Sequence, residues 1–191
     1  QQQFKASNEL QARLNRILVI SDAAHSFGAN MNGKQTGSLA DITTFSFHAV
    51  KNITTAEGGA ICLRLPDNFD NDEEYKLMKL YTLNGQNKDA FTKSQAGGWK
   101  YDILFAGLKV NMPDICAAIG LAQIKKYNKV LLVERERVAR RYHAFFSQYP
   151  FFQLPLLEDI DRKSCFHYGF NYKTINKVRI HLNSIFKQLG D

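Results

Sequence analysis

Apolar positions follow two rhythms along this chain. Ile17-Leu18-Val19-Ile20 is an unbroken apolar run ending at Ser21-Asp22, the pattern of a strand covered on both faces in a parallel α/β sheet. Residues 42–47 predict a second strand, and residues 59–63 a third after the turn Glu57-Gly58-Gly59. Helical spacing takes over at residues 72–83, with Leu77, Leu80, Tyr81 and Leu83. Pro113-Asp114 opens another helix, the proline at a first-turn position and the acid favoured by the helix dipole, with Ile115, Ile119 and Ala122 on one face. A longer helix from about residue 129 to 148 groups Leu131, Val138, Tyr142 and Phe145, and sets Glu134, Arg135, Glu136, Arg137, Arg140 and Arg141 on its other face. Residues 84–112, mixed in Gly, Asn, Gln and aromatics, suit a binding loop better than a core. After Pro150 the pattern shortens to strands at 151–154 and 166–172 and a helix near 174–189. The chain therefore reads as α/β over residues 1–130, a linking helix at 131–148, and a smaller α+β part at 149–191. No internal repeat is visible.

Composition narrows this picture. With 45% hydrophobic and 23% charged residues in 191, the chain can bury a core and is not disordered. No run approaches 18 apolar residues, so no spanning helix is predicted. The opening QQQFKASNEL has no initiator Met and no apolar stretch after a basic start; it reads as the middle of a helix and not as a secretory signal. A cytoplasmic piece of a longer protein is the expectation. Cys62, Cys116 and Cys165 stand far apart, as reduced thiols do. The net charge of +7 is uneven: 11 basic against 10 acidic residues in 1–100, and 14 against 8 afterwards. Nucleic acid, an anionic membrane surface or a phosphorylated small molecule could use that excess. Its place on a helix exterior favours a solvated face, so neither a nucleic acid nor a membrane is the expected partner.

Several motifs fail on inspection. Gly28-Ala29-Asn30-Met31-Asn32-Gly33-Lys34 has the glycine spacing of a phosphate-binding loop, but Gln35 stands where the Mg²⁺-binding hydroxyl belongs and no helix follows. A glycine-rich surface turn is the better reading. His25, His48, His143, His167 and His181 lack metal-ligand spacing, and no metal is expected. No G-x-S-x-G occurs. What survives lies at strand ends: Asp22 closes the first strand, and Ser46, His48 and Lys51 close the second, where ligands bind in α/β sheets. An Asp and a Lys brought together there are either a site or a buried ion pair.

The run SDAAHSFGANMNGKQTGSLADITTFSFHAVKNITTAEGGAI resembles the central signature of the DegT/DnrJ/EryC1/StrS family of pyridoxal phosphate-dependent sugar aminotransferases. NGQNKDAF, GGWKYDI and GLKVNMPDICAAIGLAQI follow in the family's order and similar spacing. The resemblance covers residues 10–150 firmly and 160–190 weakly. It implies the fold-type-I architecture: part of the cofactor-binding large domain, mainly a parallel sheet with helices, then part of the small C-terminal domain. Asn84 stands before Gly85 where His-Gly is common in the family.

By this resemblance Lys51 would form the Schiff base with pyridoxal 5'-phosphate, and Asp22 would pair with the pyridinium nitrogen. His25 would lie near the ring's phenolic oxygen and Ser46 would hydrogen-bond the phosphate. Asn111 would reach the phosphate of the neighbouring subunit's cofactor, so active sites would be shared in a homodimer. Lysine at 51, where the family's dehydratases carry histidine, favours transamination. The implied reaction takes an amino group from an amino acid, L-glutamate by expectation, through pyridoxamine phosphate to a nucleotide-linked keto-sugar, for polysaccharide or glycan synthesis. Trp99, Tyr101 and Lys109 would help form the sugar-nucleotide site; packing of Trp99 and Tyr101 on their own domain is the alternative. The family has roughly an N-terminal third ahead of SDAAHS, and this sequence lacks it. An inactive fragment, or one half of a split enzyme with only a binding or dimerisation role, is the competing expectation.

Overall fold

The computed structural model describes residues 4–88, 90–154, 162–163 and 171–172. Helix α1 (Glu9–Leu14) is capped by the Asn8 side chain, which accepts from the Gln11 amide, and stops at Asn15 in the left-handed conformation. Strand β1 (Ile20–Asp22) follows, then a hairpin of β2 (Asn30–Met31) and β3 (Lys34–Gln35). Its turn is Asn32-Gly33, both at positive φ, the pair that hairpins of this kind need. The glycine stretch is thus a surface turn with no phosphate-cradling helix behind it.

Strands β4 (Ile42–Ser46) and β5 (Gly59–Leu63) complete the main sheet in the order β1-β4-β5. β1 runs parallel to β4, with Asp22 opposite Thr44, and β5 runs antiparallel, with Gly59 opposite Ser46. One of its two pairings is therefore antiparallel. The first strand departs from the sequence expectation in place and burial. It begins at Ile20, and Ile17 and Ile20 are 71% and 61% exposed. Val19 already lies beside β4, its carbonyl accepting from the Ile42 amide at 3.2 Å. The run specifies apolar faces, but β1 ends the described sheet and those faces stay in solvent.

Asp41, just before β4, ties the approach to β1 into place. Its carboxylate accepts from Arg16 at 2.5 and 2.6 Å and from the Val19 amide at 2.9 Å. These bonds, the Arg16 fork foremost, hold its pKa at about 2 despite the burial that opposes them.

Helix α2 (Asn71–Thr82) is capped by Asp70, whose carboxylate accepts from the Asp72 and Glu73 amides. The expected loop that follows contains a short helix, α3 (Ala90–Ser94). The strand-like segment around Lys109 returns to α2: the Leu108 amide donates to Tyr81 O at 2.6 Å and the Val110 amide to Thr82 O at 3.0 Å. Helix α4 (Asp114–Ile124) starts one residue later than expected, with Pro113 extended at the cap position, ψ 150°. A wide turn at Tyr127–Leu131 leads into α5 (Leu132–Phe146).

The core gathers Phe47, Ile53 and Tyr127, with Phe27, Phe45, Met112, Leu131 and Leu132 around them. Phe27 meets Phe45, Phe47 and Tyr127 edge-on, at 5.3, 5.7 and 5.1 Å between ring centres. The Tyr127 hydroxyl donates to Phe27 O at 2.7 Å, and a Cβ at Gly28 would stand 2.5 Å from the tyrosine ring. Glycine there is a packing requirement.

Two helix faces differ from the periodicity. Ile115 and Ile119 of α4 are exposed; its inward side is Gly120, against Thr55, and Gln123, which exchanges two hydrogen bonds with the Thr54 backbone. On α5, Val138 and Tyr142 are exposed, while Ala139 is buried and Arg135 half-buried. The helix is rotated from the expected face because Arg135 has a partner inside. Beyond α5 the described strands are β6 (Phe152–Gln153), β7 (Arg162–Lys163), which pairs with β2, and β8 (Asn171–Tyr172), which pairs with β6. Most of the expected strand at 166–172, the helix at 174–189, Cys165, His167 and His181 lie outside the described residues. Cys62 and Cys116 are free thiols.

Candidate active site

The carboxyl ends of β1 and β4 lie side by side because the strands are parallel. That edge carries Asp22 on one strand and Ser46 on the other. Beyond β1 the chain turns at once, the Ser26 amide donating to Ala23 O at 3.0 Å, and this turn presents His25. Beyond β4 a closed loop forms: Phe47 N donates to Gly58 O at 2.8 Å, and Thr55 N to Phe47 O at 2.9 Å. Gly59 closes it, since a Cβ there would sit 2.5 Å from Phe45 O. The Glu57-Gly58-Gly59 turn is a structural requirement of this loop.

Lys51 rises from the loop and meets His25, with 2.7 Å between Lys51 Nζ and His25 Nε2. Its backbone is fixed on both sides. The next residue, Asn52, is buried and donates to His25 O at 3.2 Å and Phe27 O at 3.3 Å. From α5, Arg135 donates to Lys51 O at 3.1 Å. The sequence reading missed both residues. Arg135 belongs by charge with the solvated face, yet it lies four residues before the buried Ala139 and three after Leu132, in the inward register. Asn52 stands between Lys51 and the buried Ile53, with no sequence signal that its own side chain is buried.

Asp22, His25, Ser46 and Lys51 thus share one strand-end edge. Asp22 is exposed, contrary to the burial its apolar strand suggested, because β1 is the end strand; its Oδ1 accepts from the Ala24 amide at 3.1 Å. The Asp-Lys ion pair is not formed, since Lys51 turns to His25. Ser46 Oγ accepts from the His48 amide at 3.4 Å. The donor set fits pyridoxal phosphate: a primary amine for an aldehyde, a carboxylate for a ring nitrogen and a hydroxyl for a phosphate.

Asn111 lies elsewhere. Its Oδ1 accepts from Lys109 Nζ at 2.6 Å, and both residues line a cleft between α2, α3 and the start of α4 whose described lining contains none of Asp22, His25, Ser46 and Lys51. Tyr101 lies beneath Lys93, whose ammonium is 3.8 Å from the ring centre. Trp99 is 76% exposed, so its indole does not pack on its own domain.

Residues 3–189 match the model of the DegT/DnrJ/EryC1/StrS aminotransferase family. An uncharacterized protein of Methanocaldococcus jannaschii, MJ1066, is 42% identical over 131 residues, 68% of this chain and 32% of that protein. The spore coat polysaccharide biosynthesis protein SpsC of Bacillus subtilis is 35% identical over 147 residues, 76% of this chain and 36% of that protein. Among solved structures, the apo form of Spr1654 from Streptococcus pneumoniae, a candidate sugar aminotransferase, has a TM-score of 0.80 at 34% identity, over 97% of this chain and 45% of that one. Helicobacter pylori PseC, an aminotransferase of pseudoaminic acid biosynthesis, has a TM-score of 0.69 at 31% identity, over 90% of this chain and 43% of that one. The chain therefore spans about a third of these curated relatives and under half of the solved chains. Its backbone is part of the fold-type-I architecture, and the chain belongs to the DegT/DnrJ/EryC1/StrS aminotransferase family.

Proposed function

We propose that this chain carries the lysine-bearing part of a pyridoxal phosphate-dependent sugar aminotransferase, which moves an amino group from an amino acid, L-glutamate, to a nucleotide-linked keto-sugar. The observation that carries the reading is the Lys51–His25 contact of 2.7 Å at the shared strand ends that also bear Asp22 and Ser46. SpsC, named for spore coat polysaccharide biosynthesis, and PseC, named for pseudoaminic acid biosynthesis, favour a product that enters a surface glycan.

When bound, pyridoxal phosphate supplies an aldehyde for an amine and a ring that accepts electrons from the substrate carbon. Lys51 would supply the amine and, with its Nζ free, the base that moves a proton at that atom. His25 orients that amine through Nε2. Asp22 would keep a ring nitrogen protonated with its carboxylate, and Ser46 would offer its hydroxyl to the phosphate. Asn111 serves the neighbouring subunit's phosphate in a homodimer, and Trp99, Tyr101 and Lys109 border the sugar-nucleotide site. Residues 1–130 act as part of the cofactor domain, 131–148 as the linking helix and 149–191 as part of the small domain.

Pyridoxal phosphate added to the protein is expected to give an absorption near the visible edge that Lys51→Ala abolishes. Persistence of that band in Lys51→Ala overturns the role of Lys51. A protein that takes up no cofactor supports the competing binding or dimerisation role.

A further inference from the structure

The contact between Lys51 and His25 joins two separate segments, the loop after β4 and the turn after β1. Three side chains hold those segments together. Asn52, 2% exposed, spans the gap from the lysine side, its amide donating to both His25 O and Phe27 O. Tyr127, 4% exposed, donates its hydroxyl to the same Phe27 O at 2.7 Å. Arg135 donates to Lys51 O at 3.1 Å. Tyr127 therefore grips the turn that carries His25 and Arg135 grips the loop that carries Lys51. Both come from one continuous stretch, the wide turn at Tyr127–Leu131 and α5.

A regular α-helix would not aim these two residues the same way. It turns by about 100° per residue, so side chains eight positions apart stand about 80° apart around the axis. The turn at Tyr127–Leu131 is wider than an α-helical one. The Leu131 amide reaches back five residues to Lys126 O at 3.3 Å, and the Leu132 amide reaches back five to Tyr127 O. Such a turn rotates less per residue and takes up that excess, which leaves Tyr127 buried and Arg135 half-buried on the inward side. Tyr127 is fixed there by packing. Its ring meets Phe27 edge-on and covers Gly28, where a Cβ would stand 2.5 Å away. Asn52 Oδ1, by contrast, is buried with no hydrogen-bond partner among the described residues. An unpaired buried oxygen is unfavourable, so what the asparagine contributes is its two donated bonds.

We propose that Tyr127 and Arg135 are paired positioning residues for the Lys51–His25 contact, brought onto one helix face by the wide turn, with Asn52 as the strut between the segments they hold. The proposal rests on the reading of Lys51 as the cofactor lysine for its bearing on the reaction, and it is tested on the protein without cofactor.

The measurements are the acetylation rate of Lys51, read by mass spectrometry against the exposed Lys5, and the nitrogen NMR signal of His25 Nε2. Tyr127→Phe keeps the ring in the core and removes the hydroxyl. It is expected to raise the Lys51 rate by about fivefold and to shift the His25 signal. With Arg135→Ala added, the rate is expected to fall short of the product of the two single effects, because either loss already releases the pair. Deleting Val130, which is exposed, restores regular helical spacing and swings Arg135 by about 100° away from Lys51 O. The deletion is expected to reproduce the Arg135→Ala rate, with no further rise when the two are combined, whereas Val130→Ala keeps the wide turn and the wild-type rate. Circular dichroism checks the helical content of each variant, and Tyr127→Phe decides the matter if the deletion does not fold. A wild-type Lys51 rate with an unmoved His25 signal in Tyr127→Phe overturns the proposal, as do single effects that multiply. Cofactor uptake with unchanged labelling defeats this inference alone, and altered labelling without cofactor uptake defeats the Lys51 reading alone.

Discussion

The Arg16 fork holds the Asp41 carboxyl at about 2, against an ordinary 3.8. A carboxyl lowered in the folded state contributes stability that is complete above its unfolded value and is lost as the pH falls through its folded one. The melting temperature is therefore expected to fall between about pH 4 and about pH 2, and this part of the slope to flatten in Asp41→Asn. Thermal scans across that interval check it; identical slopes rule the linkage out. The Arg16 side chain is 46% exposed, so the effect is moderate and shrinks with added salt. Asp41, Asn52 and Arg135 were not legible as anchors in the sequence. Their roles depend on which backbone groups arrive beside them: Val19 N for Asp41, His25 O and Phe27 O for Asn52, Lys51 O for Arg135. That Asp22, His25, Ser46 and Lys51 gather at one strand-end edge was legible, because strand ends and a long ordered motif mark them. The Lys51–His25 contact was not, since it needs two turns to close toward each other.

Elements were legible where one neighbour decides them. Strands β4 and β5 and helix α2 fall within a residue or so of their expected places, because alternation, the glycine turn and the Asp70 cap are local signals. The faces of α4 and α5 were not, because a helix with apolar residues around most of its surface, or with a charge drawn inward, has no single orientation written in its period. Arg135 makes this consequential. Through it α5 grips the loop that presents Lys51, which couples the linking helix to the candidate site. Arg135→Ala removes a hydrogen bond from a charged donor and is expected to lower pyridoxal phosphate affinity by about tenfold, while Arg135→Lys restores part of it. Loosening of the loop is also expected to raise the acetylation rate of Lys51, read by mass spectrometry against Lys129 as an internal reference. Unchanged Lys51 labelling and unchanged cofactor affinity show that the contact does not position the lysine.

At the scale of the whole molecule, more large apolar side chains are exposed than buried among the described residues. Helix α4 is the sharpest case: Ile115, Ile119, Leu121 and Ile124 are 78%, 40%, 55% and 54% exposed. A helix apolar on all sides belongs inside something. Asn111, which by family resemblance serves a neighbouring subunit, lies three residues before α4 begins, so the helix enters directly from a segment expected to reach a second copy. A second copy is the occupant expected on this helix, over an area of roughly 800 Å² per partner. Sedimentation velocity is expected to show a dimer that Ile115→Asp with Leu121→Asp converts to monomers of unchanged helical content; a wild-type monomer at micromolar concentration rules the interface out. Shared sites add a second consequence. In a dimer where Lys51 comes from one subunit and Asn111 from the other, mixing Lys51→Ala with Asn111→Ala leaves one site with both residues intact. The mixed dimers are then expected to regain the cofactor absorption weakened or absent in each variant alone, whereas sites complete within one subunit would gain nothing from mixing.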